Sequence, residues 1–169
     1  MSVQQYDEAY AADRAAIEDL MARYLFALDY NDLDSFIEMF TDDAVFEFAR
    51  GRVAGKGDIL EAVKSFKARI GEHYKDEDGN PAVLRHVLAH TAIRVVGDRA
   101  WTRAQWFEMA NDGPGKSLKM GTFGIYEDQL RKVGGRWLFS ERRILNEFLP
   151  GRESGPGNPI RSMDAAAAA

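Results

Sequence analysis

From Leu84 onward the chain is written in two-residue alternation, interrupted only by short turns: Leu84 to Val96, Gly97-Asp98, Arg99 to Ala110, a Gly/Pro turn at Asp112 to Gly115, Ser117 to Arg131, Gly134-Gly135, and Trp137 to Phe148. Four long runs joined by tight turns make an antiparallel meander, because each turn returns the chain beside itself. Such a sheet needs cover for its apolar face, and the residues before it supply helices. Ile17, Leu20, Met21, Tyr24, Leu25 and Leu28 recur at spacings of three and four, so Ala12 to Leu28 is an amphipathic helix. Asn31-Asp32 caps a shorter helix carrying Leu33, Phe36, Ile37, Met39 and Phe40, and Thr41-Asp42-Asp43 turns into a strand at Ala44 to Phe48. After a Gly-rich return from Gly51 to Gly57, Ile59, Leu60, Val63, Phe66 and Ile70 mark a third helix over Asp58 to Ile70. Helices first and a meander last is an α+β pattern: a cone-shaped, curved antiparallel sheet wrapped around N-terminal helices.

With 169 residues and 46% hydrophobic content, one core is expected. The domain is placed at residues 10–149. Residues 150–169 are expected to be an irregular tail, since Pro150, Gly151, Gly155-Pro156-Gly157 and Pro159 break regular structure and five alanines close the chain. Gly71 to Pro81 is charged and rich in breakers, which makes it an exposed loop with His73 solvated. Lys+Arg of 22 against Asp+Glu of 27 gives a net charge of -5, the reverse of a nucleic-acid-binding footprint. The absence of cysteine excludes disulfides and thiolate chemistry. Met1 to Tyr10 holds no apolar signal core and no run approaches the roughly 20 apolar residues that span a bilayer, so no membrane partner and a cytoplasmic location are expected.

Two residues carry the chemistry. Asp29 stands where the first helical stripe stops, and His86 lies in the strand Arg85-His86-Val87-Leu88-Ala89-His90. A carboxylate at the edge of an apolar interior and an inward imidazole make a general acid/base pair that needs no cofactor. The same residues also admit a plain structural role, Asp29 as a helix cap and His86 as a satisfied core histidine. Alternation groups His86, Leu88 and His90 on one face, then Met120, Thr122, Gly124, Tyr126 and Asp128, and then Ser140, Arg142, Ile144 and Asn146, opposite Arg143. The aromatic residues Tyr24, Tyr30, Phe46, Phe48 and Trp106 fall in the elements that would line a cavity, which suits an apolar or aromatic substrate bearing one or two oxygen groups. His86 and His90 on one strand lie about 13 Å apart at ~3.3 Å per residue, too far to share a metal. No Gly-x-Gly-x-x-Gly, Walker lysine loop or Gly-x-Ser-x-Gly elbow occurs. Neither a metal nor a cofactor is therefore expected.

The succession Leu28-Asp29-Tyr30-Asn31-Asp32-Leu33-Asp34, Phe40-Thr41-Asp42-Asp43-Ala44, Arg85-His86, Gly97-Asp98-Arg99-Ala100, Gly135-Arg136-Trp137-Leu138-Phe139 and Arg142-Arg143 resembles the SnoaL-like branch of the nuclear-transport-factor-2-like superfamily over roughly residues 10 to 149. That superfamily includes ketosteroid isomerase, polyketide cyclases, scytalone dehydratase, bile-acid 7α-dehydratase, hexachlorocyclohexane dehydrochlorinase and a cofactorless diarylpropane lyase, as well as non-enzymes. The resemblance implies the conical fold and a catalytic aspartate and histidine at Asp29 and His86. The dehydrochlorinase carries an arginine five residues after its last-strand tryptophan, which falls on Arg142 and implies an anion-stabilising role there. Tyr24 stands where the dehydrochlorinase has a lysine, and Leu28 where scytalone dehydratase has a tyrosine, so neither of those two reactions as such is expected.

The expectation is a cofactor-independent lyase that acts on a small hydroxylated aromatic or apolar compound and releases water or formaldehyde. Asp29, His86, Arg142 and Tyr126 are its catalytic candidates. Tyr24, Tyr30, Phe46, Phe48, His90, Trp106, Met120, Thr122 and Asn146 are its substrate contacts, and the expected assembly is a homo-dimer or homo-trimer. An isomerase or cyclase of a steroid- or polyketide-like ligand, or a non-catalytic small-molecule binding module, are the alternatives.

Overall fold

The computed structural model describes residues 4–168; Met1 to Val3 of the polar start and Ala169 of the closing alanines lie outside them. Asp7 accepts the Tyr10 amide N–H at 2.8 Å and so caps α1 (Glu8–Asp29). Its inward stripe buries Ile17, Met21 and Tyr24. Asn31 adopts a left-handed φ of 60° after α1, and Asp32 then caps α2 (Leu33–Ile37) by accepting the Ser35 N–H at 3.1 Å.

The first strand starts earlier than its sequence suggests. β1 runs Phe40–Phe48, because Phe40 is fully buried and the Met39 carbonyl already accepts the Phe139 N–H at 2.9 Å. The Thr41-Asp42-Asp43 segment is an irregularity within the strand, not a turn before it: the pairing shifts register between Phe40 and Val45. β2 (Gly51–Ala54) occupies the Gly-rich return, paired antiparallel to β1 with Phe48 opposite Gly51. α3 (Lys56–His73) follows and runs three residues past the end of its apolar stripe at Ile70, so exposed His73 ends a helix and is not in a loop.

The meander is β3 (Leu84–Val96), β4 (Arg99–Gly113), β5 (Ser117–Val133) and β6 (Arg136–Asn146), with one 3-10 turn at Pro114–Lys116. The six strands form a curved, unclosed sheet in the order β2-β1-β6-β5-β4-β3, antiparallel throughout except where β1 meets β6. α1 and α3 pack with it around one core that joins Ile17, Tyr24, Phe36, Phe46, Ile59 and Trp106. Among the described residues no helix is long and apolar enough to cross a membrane.

The expected irregular tail holds α4 (Pro159–Ala168), which lies against β3 and β4 and buries Met163. Pro159 fits the first turn, where its missing N–H is not needed, and the alanine run has the highest intrinsic helix propensity. The series of breakers hid a helix that begins at the last of them, Pro159.

Candidate functional site

A cavity of about 610 Å³ opens where α1 and α3 leave the concave face of the sheet uncovered. That volume lies within the range of small-molecule sites. Tyr24, Phe46, Phe48, Trp106 and Tyr126 form much of its apolar wall, and Thr122 and Asn146 add polar groups, with Asn146 Nδ2 donating to Thr122 Oγ1 at 3.3 Å. The Trp106 indole stacks on Tyr126 with centroids 5.5 Å apart and tilts toward the His86 ring at 6.0 Å. Its Nε1–H is buried and has no acceptor among the described residues.

Both oxygens of Asp29 are committed to His86. Oδ2 accepts the His86 main-chain N–H at 2.8 Å, and Oδ1 stands 2.6 Å from ring Nδ1. A carboxylate fixed by the main chain of the same residue whose ring it faces orients that ring, with Nδ1 toward Asp29 and Nε2 toward Glu108 and the cavity. The Asp29 side chain is 6% exposed and the His86 side chain 14% exposed, so the pair is screened from water but reachable from the cavity.

A second carboxylate faces the ring from the other side. Glu108 Oε2 is 3.6 Å from His86 Nε2, while Oε1 accepts the Tyr74 hydroxyl at 2.6 Å and the Thr122 N–H at 3.2 Å. Burial, followed by the hydrogen bond to Glu108, pushes the Tyr74 phenol far above its ordinary range. Lys67 also lines the cavity, its Nζ donating to the Leu28 carbonyl, and burial lowers its ammonium below the usual range against the opposing pull of Asp29. Glu108, Tyr74 and Lys67 are absent from the sequence reading. Glu108 was within reach of it: Glu108 lies two residues beyond Trp106 and therefore on the same strand face. Lys67 follows Val63 by four, on the buried stripe of its helix. Tyr74 carries no such signal.

Four expected site residues do not line the cavity. Arg142 does point inward while exposed Arg143 points out to Glu47 and Glu127, but Arg142 sits beneath the cavity wall with its side chain 1% exposed. It binds Asp128 twice, Nε to Oδ1 at 2.8 Å and Nη2 to Oδ2 at 2.7 Å, and Thr102 Oγ1 donates to the same Oδ2 at 2.9 Å. Its guanidinium lies 3.9 Å from the Tyr24 ring centroid and 4.5 Å from that of Tyr126, so any influence on a ligand passes through those rings. Tyr30 is 64% exposed, past the end of α1, with Arg85 stacked on its ring at 4.3 Å. His90 is the extra residue of a bulge between Ala89 and Thr91, exposed with a φ of 33°. Met120 is 58% exposed because β5 carries an extra residue at Gly121 and Thr122 opposite Glu108, which reverses the inward phase at Met120.

Residues 9–143 match the model of the SnoaL-like domain family. No curated protein matches the chain significantly in sequence. Among solved structures, it is similar to a protein of unknown function from Mycobacterium tuberculosis, 24% identical over 95% of this chain and 87% of that one, with a TM-score of 0.70. A candidate scytalone dehydratase from Novosphingobium aromaticivorans is 17% identical over 88% and 96% of the two chains, with a TM-score of 0.66. A protein of unknown function with a cystatin-like fold from Nostoc punctiforme is 20% identical over 89% and 96%, also at 0.66. At these identities the likeness is one of fold.

Proposed function

Because this chain belongs to the SnoaL-like domain family of nuclear-transport-factor-2-like proteins, we propose that it is a cofactor-independent lyase that removes a small group, water or formaldehyde, from a hydroxylated aromatic or apolar compound. The observation that carries the reading is the geometry at His86: Asp29 holds Nδ1 at 2.6 Å and leaves Nε2 as a base facing an aromatic cavity. As Nε2 takes a proton from the substrate, the imidazolium that forms is stabilised by the adjacent carboxylate. Negative charge that develops on a substrate oxygen meets Tyr24 and Tyr126, whose phenols burial raises well clear of neutral pH and so keeps as hydrogen-bond donors. Arg142 supports this from behind as a positioning residue, since it holds both rings without reaching the cavity.

The test is mass-resolved turnover of a panel of hydroxylated aromatic, steroid and diarylpropane compounds by wild type and His86→Ala. Loss of a small fragment by wild type, reduced roughly 100-fold or more in the variant, is the expected result. An unchanged product mass with altered retention would make the protein an isomerase or cyclase. Binding without turnover would make it a small-molecule binding module.

A further inference from the structure

We propose that Glu108 is a second catalytic residue of this site, the acid that protonates the departing oxygen while His86 removes the proton from carbon, and that Tyr74 positions it. This rests on the lyase reading above and assigns its missing half: a base alone cannot release hydroxide into an apolar cavity.

His86 and Glu108 are direct cross-strand partners of β3 and β4, which puts their side chains on one face. Three separate features then shape a seat for the carboxylate. The Tyr74 hydroxyl comes from the end of α3, the Thr122 N–H comes from the β5 bulge, and Gly121 leaves open the space that Oε1 fills. Both donors hold Oε1, so Oε2 is turned toward the cavity and toward His86 Nε2, 3.6 Å away. Asp29 occupies Nδ1, so the ring atom facing Oε2 is Nε2. Two lone pairs 3.6 Å apart repel unless a proton lies on one of them or a hydroxyl donates between them. A site built this way stores one exchangeable proton beside a base, and it admits a substrate hydroxyl to the gap.

The reaction balances without any further reagent. Nε2 takes the proton from carbon, the C–H electron pair becomes the new π bond, and the neighbouring C–O bond breaks with its pair. The oxygen takes the proton from Glu108 Oε2 and leaves as water. Imidazolium and carboxylate then face each other across the same gap, and return of the proton from Nε2 to Oε2 restores the starting state.

The experiment uses two probes with one carbon skeleton, 4-hydroxy-4-phenylbutan-2-one and its O-acetyl ester, whose acetate leaves without being protonated. Glu108→Gln is expected to lose roughly 100-fold or more on the hydroxy probe and to stay within about fivefold of wild type on the ester. Tyr74→Phe is expected to show the same selective loss at about tenfold. His86→Ala is expected to lose both reactions, which separates failure of the base reading from failure of this one. Equal losses on the two probes, or none, in Glu108→Gln overturn the proposal. Should wild type act on neither probe, ¹⁵N spectra of the free protein decide: Glu108→Gln is expected to shift His86 Nε2 and leave Nδ1 in place, whereas an unmoved Nε2 signal overturns it.

Discussion

A Cβ on Gly121 would stand 2.5 Å from Glu108 Oε1 and 2.7 Å from its Cγ. The absent side chain is the space in which the second carboxylate of the cavity lies. The obstacle is a side chain and not backbone, so Gly121→Ala is expected to fold and to displace the carboxylate. Its melting temperature should stay within a few degrees of wild type, with turnover falling about as far as in Glu108→Gln. Gly124→Ala makes the contrast. Its Cβ would meet the Leu145 carbonyl carbon at 2.8 Å and clash with the oxygen itself, so the β5–β6 pairing must give way. Urea unfolding of Gly124→Ala should show a loss of roughly 3 kcal/mol.

What the alternating pattern hides is insertion. The run lengths and turns of the meander are legible from Leu84 to Asn146, and so are Asp29, His86 and the aromatic wall. A period of two carries phase only until an extra residue enters. One residue enters at His90, one at Gly121-Thr122 and one at Ser140, where the β5–β6 register shifts between Gln129 and Leu130. Met120 and His90 are misplaced on the cavity wall for that reason alone. Arg142 fails differently: its face is read correctly, but depth along an inward face depends on how the Tyr24 and Tyr126 rings pack over it, and no pattern in one strand encodes that. Tyr30 falls just beyond the last turn of α1, where the end of the helix, not its period, decides exposure.

The Arg142–Asp128 pair is wholly buried and doubly hydrogen-bonded, so removing either partner strands a charge. Arg142→Met and Asp128→Leu are each expected to lower stability by about 3–5 kcal/mol. The double variant should lose much less than the sum, because it leaves no orphaned charge. Equilibrium urea unfolding of the four proteins forms the cycle. Additive losses would show that the pair does not act as a unit.

The C-terminal residues are a stability element in this reading. The Arg152 carbonyl accepts the Asn146 N–H at 2.9 Å, Arg152 Nη1 binds Glu47 Oε1 at 2.7 Å, and Met163 is buried to 3% exposure. Met163→Ala is expected to lower unfolding free energy by roughly 2 kcal/mol, the low end for a buried methionine in a short helix. The same measurement on a chain ending after Asn158 should show a larger loss. If both are neutral, α4 does not contribute to stability.

Alkaline pH should act on the tyrosines of the cavity. Burial raises the Tyr24, Tyr74 and Tyr126 phenols in the native state, whereas in the unfolded chain a phenol titrates near its ordinary value of about 10. As pH rises past that value the unfolded chain sheds protons that the native state keeps. The unfolded state then binds fewer protons, and stability falls with pH. Each fully buried phenol contributes a slope of up to about 1.4 kcal/mol per pH unit above pH ~10. Lys67 works in the opposite direction, since burial lowers its ammonium in the native state: between that lowered value and about 10.5 the unfolded chain holds the extra proton, and stability rises with pH. Urea midpoints across this range should therefore fall less steeply for Tyr126→Phe than for wild type, and more steeply for Lys67→Met up to about 10.5. An unchanged slope in Tyr126→Phe would mean that its phenol ionises in the folded protein, which a phenolate absorbance titration without urea would reveal directly. That result would also remove Tyr126 as a proton-bearing donor in the cavity, so the titration tests the site as well as the fold.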